Sequence, residues 1–268
     1  MSKLRIGAVT MLSVRGCNRS NLRRIVWFAE RAAAAGCRLV VYPEFSVCGP
    51  WVSYDPGARP DRLMRQAESI PGPTTDFLSL HAGRLDLIFC VGIAEKGLAR
   101  LPFNTHVVVG PQGVMHRQRK LQPTLSEVAF FRGGGDVVST FTVDGTTLGI
   151  TICADNSQPP IHECLLAQGA SVILAPACGA IKKHQQPGSS WPDVLAWYRR
   201  RAQARFPAIA RRTHATFVSV EAKDPRHEFD DMPDRPHYVA GMCLIYRPDG
   251  SLQARSPGNE ETLVVVDV

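Results

Sequence analysis

The sequence predicts an α/β protein in which helices cover the faces of β-sheets. Short apolar runs of strand length alternate with amphipathic stretches of helix length, glycine and proline punctuate the joints, and paired turn residues link neighbouring runs near the middle of the chain.

The first apolar run, residues 4–9, reads as a strand. The basic start before it has the look of a signal peptide, but the apolar part is short, offers no small-residue cleavage site and ends at Arg15. Residues 22–35, with Trp27, Phe28 and an alanine-rich face, read as a helix, with Asn18 and Ser20 as candidate caps and Gly36 as its stop. Residues 38–42 form the next strand. A second helix is expected over 74–84, after the Pro71-Gly72-Pro73 breaker.

Residues 87–94, 105–109 and 114–117 are rich in β-formers, and Gly110-Pro111-Gln112-Gly113 joins the last two. Residues 137–143 and 146–152 flank Asp144-Gly145, a pair suited to the positive φ angles of a two-residue hairpin turn. Beyond Cys153 a helix is expected over 161–168, a strand over 171–175, and a long helix over about 192–212 that Pro207 should break or kink. Strands over 217–220, 240–246 and 262–266 complete the pattern, and residues 182–190 and 224–236 read as surface loops or site lids. No repeat or linker divides residues 1–268, so one domain is expected.

Composition narrows the function classes. The 268 residues are 44% hydrophobic and 21% charged, which suits a globular chain with a substantial core and excludes a disordered or fibrous one. Cysteines 17, 37, 48, 90, 153, 164, 178 and 243 form no CxxC pair and mostly sit in apolar runs, so reduced thiols and a cytoplasmic location are expected. No apolar run approaches the roughly 20 residues that cross a bilayer, and no membrane association is expected. The 31 Lys+Arg against 24 Asp+Glu leave a net charge of +7. Its one dense stretch, Arg199 to Arg201 with Arg205, Arg211 and Arg212, reads as the wet face of a helix. No nucleic-acid partner is expected, and attraction of a small anionic substrate is equally compatible with the surplus.

No GxxxxGK[ST], no GxGxxG after a strand, no GxSxG and no HExxH occurs, which removes those reaction classes. Gly133-Gly134-Gly135-Asp136 does not join a strand to a helix and reads as a loop. His162, Cys164, Cys178 and His184 match no zinc spacing, and no metal site is expected. Cys153 differs from the other cysteines. It ends the apolar strand Leu148-Gly149-Ile150-Thr151-Ile152 just before a helix, where backbone N–H groups and positive potential favour a thiolate and a developing oxyanion. Glu44 stands just beyond Leu39-Val40-Val41-Tyr42-Pro43, at the carboxyl end of another strand, where a carboxylate needs a partner and makes a plausible general base. Lys120 follows a third strand.

With their surrounding letters these positions resemble the nitrilase, or carbon-nitrogen hydrolase, superfamily. The resemblance runs from Ile6-Gly7-Ala8-Val9 and Val41-Tyr42-Pro43-Glu44-Phe45, through Arg119-Lys120-Leu121, to Ile150-Thr151-Ile152-Cys153 and residues 241–250. It implies a four-layer αββα sandwich and a catalytic set of Glu44, Lys120 and Cys153. It further implies that Glu127, in Ser126-Glu127-Val128-Ala129-Phe130-Phe131-Arg132-Gly133, positions the lysine and substrate, and that the protein forms a homodimer or higher homo-oligomer. In chemical terms Cys153 attacks, Glu44 carries protons, and the Lys120 ammonium with the Ala154 N–H holds the oxyanion. No cofactor is required.

Departures cluster where substrate is read. Ser157 stands where many small-amide hydrolases of the family carry Arg, Pro160 where they often carry Glu, and Gln122 where a His is common. The run Arg119 to Thr124 is similar to the nitrile-hydrolysing branch, whereas Ala154 lacks the Trp that branch places after its cysteine. The expectation is hydrolysis of a small amide or carbamoyl compound with release of ammonia, with nitrile hydrolysis or a non-catalytic binding protein as alternatives. Phe45, Trp51, Tyr54, Cys178, Trp191 and His237 are the candidate pocket walls.

Overall fold

In a computed structural model of the chain, the described residues are 3–53, 57–98, 100–178, 180–182, 191–223, 237–239, 241–258 and 260–268. Strands β1 (Arg5–Thr10), β2 (Leu39–Val41), β3 (Ile88–Glu95), β4 (Phe103–Gly110), β5 (Gly113–Arg119) and β14 (Thr262–Asp267) form one six-stranded sheet in the order β14-β1-β2-β3-β4-β5. Strands β6 (Thr140–Val143), β7 (Thr146–Ile150), β8 (Val172–Ala177), β10 (Thr216–Glu221), β12 (Cys243–Tyr246) and β13 (Leu252–Arg255) form a second, in the order β13-β12-β10-β8-β7-β6. Each sheet has a parallel centre, β1-β2-β3 in one and β7-β8-β10 in the other, and antiparallel edges. A short antiparallel pair joins β9 (Ala180–Lys182) to β11 (His237–Val239).

The two sheets pack face to face because alternate residues of the central strands are apolar on both faces. Ile6, Ala8, Leu39, Val41, Ile88 and Cys90 meet Leu148, Ile150, Val172, Leu174, Val218 and Val220 between the sheets. The outer face of the first sheet is covered by α1 (Asn18–Ala34) and α3 (Pro73–Leu85), whose Ile25, Phe28, Ala29, Ala32, Leu78 and Ala82 pack on Val9, Val40, Phe89 and Val91. The outer face of the second is covered by α4 (Pro159–Ala167), whose Leu165 packs over Gly149, and by α5 (Trp191–Thr213) through Ala202, Ile209 and Ala210 on Ile173, Phe217 and Leu244. The layers are therefore helix, sheet, sheet, helix.

Local readings hold where turn chemistry decides. Asp144 and Gly145 both take positive φ, 47° and 80°, and Val143 pairs with Thr146 across them. Gly110 pairs with Gly113 around the second hairpin, and Gly36 follows α1 at φ 74°. Two expectations are corrected. Pro207 does not end α5, which continues to Thr213, because the apolar face on either side of it is packed on the sheet and outweighs one missing N–H. Neither Asn18 nor Ser20 caps α1, which starts at Asn18 behind Cys17 with no side-chain cap bond. The buried Asn21 ties that end instead, its Nδ2 donating to the carbonyls of Val14 and Val47 at 2.8 Å each. The short helix α2 (Pro60–Gln66) and the edge strand β13 have no counterpart in the sequence reading, being brief and weakly patterned. Among the described residues no helix is long and apolar enough to cross a membrane.

Candidate active site

Four side chains singled out in the sequence are drawn towards one place, the seam where the carboxyl ends of central strands from both sheets meet. Glu44 leaves β2 on a tight loop in which Phe45 takes φ 61°, an uncommon value for a residue with a side chain. The loop is pinned to β3 at Gly92, whose N–H donates to Ser46 Oγ at 2.8 Å and whose carbonyl accepts from the Val47 N–H at 2.9 Å. A Cβ on Gly92 would lie 2.6 Å from the Phe45 nitrogen, so the approach requires glycine. The Glu44 carboxylate, 1% exposed, accepts from Asn104 Nδ2 at 2.7 Å and Lys120 Nζ at 2.8 Å on Oε1, and from the Cys178 N–H at 2.9 Å on Oε2.

Lys120 follows β5 directly. Its N–H donates to the Asn104 carbonyl at 2.8 Å, so β4 places both a partner of Glu44 and the backbone of the lysine. The glycine run packs behind it: the Gly134 N–H donates to the Lys120 carbonyl at 2.9 Å, and a Cβ on Gly134 would sit 2.7 Å from that oxygen. Lys120 Nζ, 1% exposed, donates to Glu44 and to Glu127, each at 2.8 Å. Glu127 is held by the turn Thr124-Leu125-Ser126-Glu127, its Oε2 accepting from the Thr124 N–H at 2.8 Å. Burial works against the Lys120 ammonium, but Cys153 once it is ionised and the carboxylates of Glu44 and Glu127 outweigh it and hold its pKa well above the ordinary value. Burial, reinforced by the neighbouring Glu44, raises the Glu127 carboxyl above its ordinary range despite Lys120.

Cys153 opens a short 3-10 turn, Cys153–Ser157, with φ 51°. Asn156 braces this strained conformation by donating from Nδ2 to the carbonyls of Cys153 at 3.1 Å and Thr151 at 3.3 Å, while accepting from Thr151 Oγ1 at 2.5 Å. Asp155 Oδ2 accepts from the Leu121 N–H at 3.1 Å and so ties the Cys153 turn to the Lys120 segment. Burial lifts Asp155 to about 6. Burial and the Glu44 carboxylate push the Cys153 thiol well above its ordinary pKa, against the pull of Lys120. The positive potential expected of the turn does not outweigh this, because a five-residue turn has too small a dipole to offset desolvation. The group at neutral pH is a thiol that needs a base.

A cavity of about 270 Å³ opens at Cys153 and Ala154, with Trp197, Tyr198, Arg205 and Glu221 among its walls. Phe45, Trp51 and Cys178, three of the expected wall residues, are not among its described walls. Phe45 and Trp51 are buried in an aromatic cluster with Phe130 and Phe131, Phe45 stacking on Phe131 at 5.4 Å, because both loops fold back over the first sheet. Cys178 packs against the same cluster and touches the site through its backbone N–H. Tyr54 lies outside the described residues, as do the side chains of Trp191 and His237. The sequence reading missed Asn104, Asn156, Tyr198 and Glu221, whose only signal is their position at a strand end or on a helix face.

The carbon-nitrogen hydrolase family profile matches residues 5–268, and the chain belongs to that family. It is 25% identical over 236 residues to Nitrilase 3 of an unknown prokaryotic organism, covering 85% of this chain and 67% of the relative. It is 27% identical over 271 residues to the cyanide hydratase of Microdochium sorghi, covering 91% and 70%. A 33% match to the nitrilase of Pyrococcus abyssi spans 55% of each chain. The matches span 50% of the length of Nitrilase 2 of Arabidopsis thaliana and 79% of that of its Nitrilase 3. Among solved structures, an amidase of the nitrilase superfamily from Nesterenkonia has the same fold, with a TM-score of 0.75 at 20% identity over 100% of this chain and 91% of that one.

Proposed function

We propose that this chain hydrolyses a non-peptide carbon-nitrogen bond in a small amide or carbamoyl compound, through a thioester on Cys153, and releases ammonia. The observation that carries the reading is the buried Lys120 ammonium held by two carboxylates beside the Cys153 turn. Three charged groups this deep in a protein are destabilising unless they do chemistry or are fully paired, and the neighbouring thiol with its raised pKa needs the base that Glu44 supplies.

The sulfur of Cys153 attacks the carbonyl carbon as its proton moves to Glu44, and the carbonyl electrons move onto oxygen. Lys120 spends two of its three N–H donors on Glu44 and Glu127, leaving the third for the oxyanion, with the Ala154 N–H as the second donor. Collapse breaks the carbon-nitrogen bond, and the proton on Glu44 goes to the departing nitrogen. Glu44 then takes a proton from water, whose oxygen attacks the thioester; the acid leaves and the thiol is restored. Glu127 positions Lys120. Support also comes from the Nesterenkonia amidase, mutants of which carry the acetamide moiety of fluoroacetamide covalently on the active-site cysteine.

A second reading, hydrolysis of a nitrile, is favoured by the nitrilase and cyanide hydratase relatives. There the thiolate adds to the nitrile carbon, and water converts the thioimidate to a thioester with loss of ammonia. Incubation with amides and nitriles of matched chain, reading ammonia, separates the two. Amide turnover is expected. Turnover of nitriles alone would overturn the amide version, and activity surviving in Cys153→Ala would overturn both.

A further inference from the structure

The arginine-rich stretch reads in the sequence as a solvated helix face, and Arg200, Arg201, Arg211 and Arg212 are exposed, but two of its members also reach a cavity. Arg201 and Arg205, one helical turn apart on α5, both line the cavity that opens at Cys153. Arg201 is exposed and lies over the Trp197 ring, 5.3 Å from its centroid, which fixes a flexible cation at the edge of the cavity. Arg205 is half-buried and donates from Nη2 to Ser157 Oγ at 2.8 Å, four residues beyond the cysteine.

Several arginines in this protein face a carboxylate, Arg5, Arg24, Arg38, Arg65, Arg84, Arg117 and Arg119 among them. Among the described residues neither Arg201 nor Arg205 has one within ion-pair distance. Burial and the like charge of Arg201 both work against the Arg205 guanidinium, whose pKa is lowered. The acid that shares the cavity, Glu221, already accepts from the Tyr198 hydroxyl at 2.7 Å. A guanidinium offers five N–H donors in a planar fork, and one bond to Ser157 leaves most of them available. Two cations brought together beside a nucleophile are favoured when an anion arrives between them.

We propose that this cavity binds a carboxylate at the far end of the substrate, held by Arg205 with Arg201 assisting, so that the compound hydrolysed is a monoamide of a short dicarboxylic acid or a similar anionic amide. The inference rests on Cys153 being the nucleophile and adds the chemical class of the group attached to the reacting carbonyl. The net charge of +7 works in the same direction by drawing anions towards the protein. A cavity of about 270 Å³ suits a short acyl chain.

The test uses binding and turnover separately. The Cys153→Ala protein is titrated by calorimetry with succinamate, butyramide and 4-aminobutanamide, three amides of equal chain length whose far ends are anionic, neutral and cationic. Succinamate is expected to bind roughly tenfold or more tightly than butyramide, as for a charge-assisted pair of bonds, and to lose that preference as salt is raised. Adding Arg205→Gln should collapse the ratio, and Arg201→Gln, on an exposed helix face, should reduce it even if the first variant folds poorly. Equal binding of the three, tighter binding of the cationic amide, binding of none, or a ratio untouched in folded Arg205→Gln protein would each overturn the subsite. Ammonia release by the wild-type enzyme is read alongside. Selective binding without turnover of any amide would leave the subsite standing and remove the hydrolysis, whereas equal turnover of all three without selective binding would do the reverse.

Discussion

Removing the Lys120 ammonium separates its structural work from its chemical work. In Lys120→Met the oxygens of Glu44 and Glu127 that met at Nζ, each at 2.8 Å, face one another in a site only a few per cent exposed. Two carboxylates at about twice that separation repel by roughly 3 kcal/mol at an effective dielectric of about 20, and breaking a buried ion pair by deleting one partner typically costs about 3–5 kcal/mol. The strain has an outlet. Glu127 already has a raised pKa, so with the lysine gone it takes up a proton more readily, and the folded state binds that proton before the unfolded chain does. Stability lost at pH 7 should therefore be partly regained as pH falls towards 5. Urea unfolding at both values measures this. In Lys120→Met/Glu127→Gln the second charge is gone and most of the stability should return at pH 7, while turnover of amides stays roughly a hundredfold or more below wild type because the oxyanion donor is still missing. A Lys120→Met protein as stable as wild type at pH 7, or a double variant that recovers activity along with stability, would refute the reasoning.

Further expectations concern the frame around the site. Gly92→Ala should destabilise the fold by about 1–3 kcal/mol, since the new Cβ would lie 2.6 Å from the Phe45 nitrogen and push the Glu44 loop off β3; thermal unfolding together with amide turnover checks both consequences. Glu44→Gln keeps the bonds from Asn104 or Cys178 but removes the base, so turnover should be abolished with the far-ultraviolet circular dichroism unchanged. Burial lowers His106 to about 3, and His116 and His162 to about 4, so from pH 6.5 downwards the unfolded chain binds protons that the folded one refuses. Stability should fall as pH drops from about 6.5 to 4, and unfolding midpoints across that window that stay flat would show that these rings are not buried as neutral groups.

What was legible in the sequence follows from short-range physics. Asp144-Gly145 announces its hairpin because the φ angles of that turn belong to those two residues alone, and the apolar runs of β1, β2, β3 and β8 read as strands because both of their faces are buried. Glu44 and Cys153 stood out for the same kind of reason, each being a chemically costly or reactive residue at a strand end, whereas Lys120 by itself reads as a solvated charge and was marked only by the family resemblance. Pro207 misled because helix rules price one missing N–H, whereas the packing of Ala202, Ile209 and Ala210 on the second sheet sums over a whole face. Asn18 and Ser20 misled because the start of α1 is tied through Asn21 instead, whose side chain bonds backward to Val14 and, far along the chain, to Val47.

Tertiary structure alone decided which groups meet. Asn104 reaches Glu44 across 60 positions and Cys178 reaches it across 134, separations at which no local pattern carries information. The same holds for the pocket. Phe45 and Trp51 have the hydrophobicity of wall residues and were drawn into a core cluster, while Arg205, which composition assigns to water, was carried to the cavity at Cys153 by the docking of α5. The amino-acid order thus determined the elements and the reactive groups, since both depend on neighbours in the chain; which groups face one another, and with what charge, was decided by how two sheets and their helices pack.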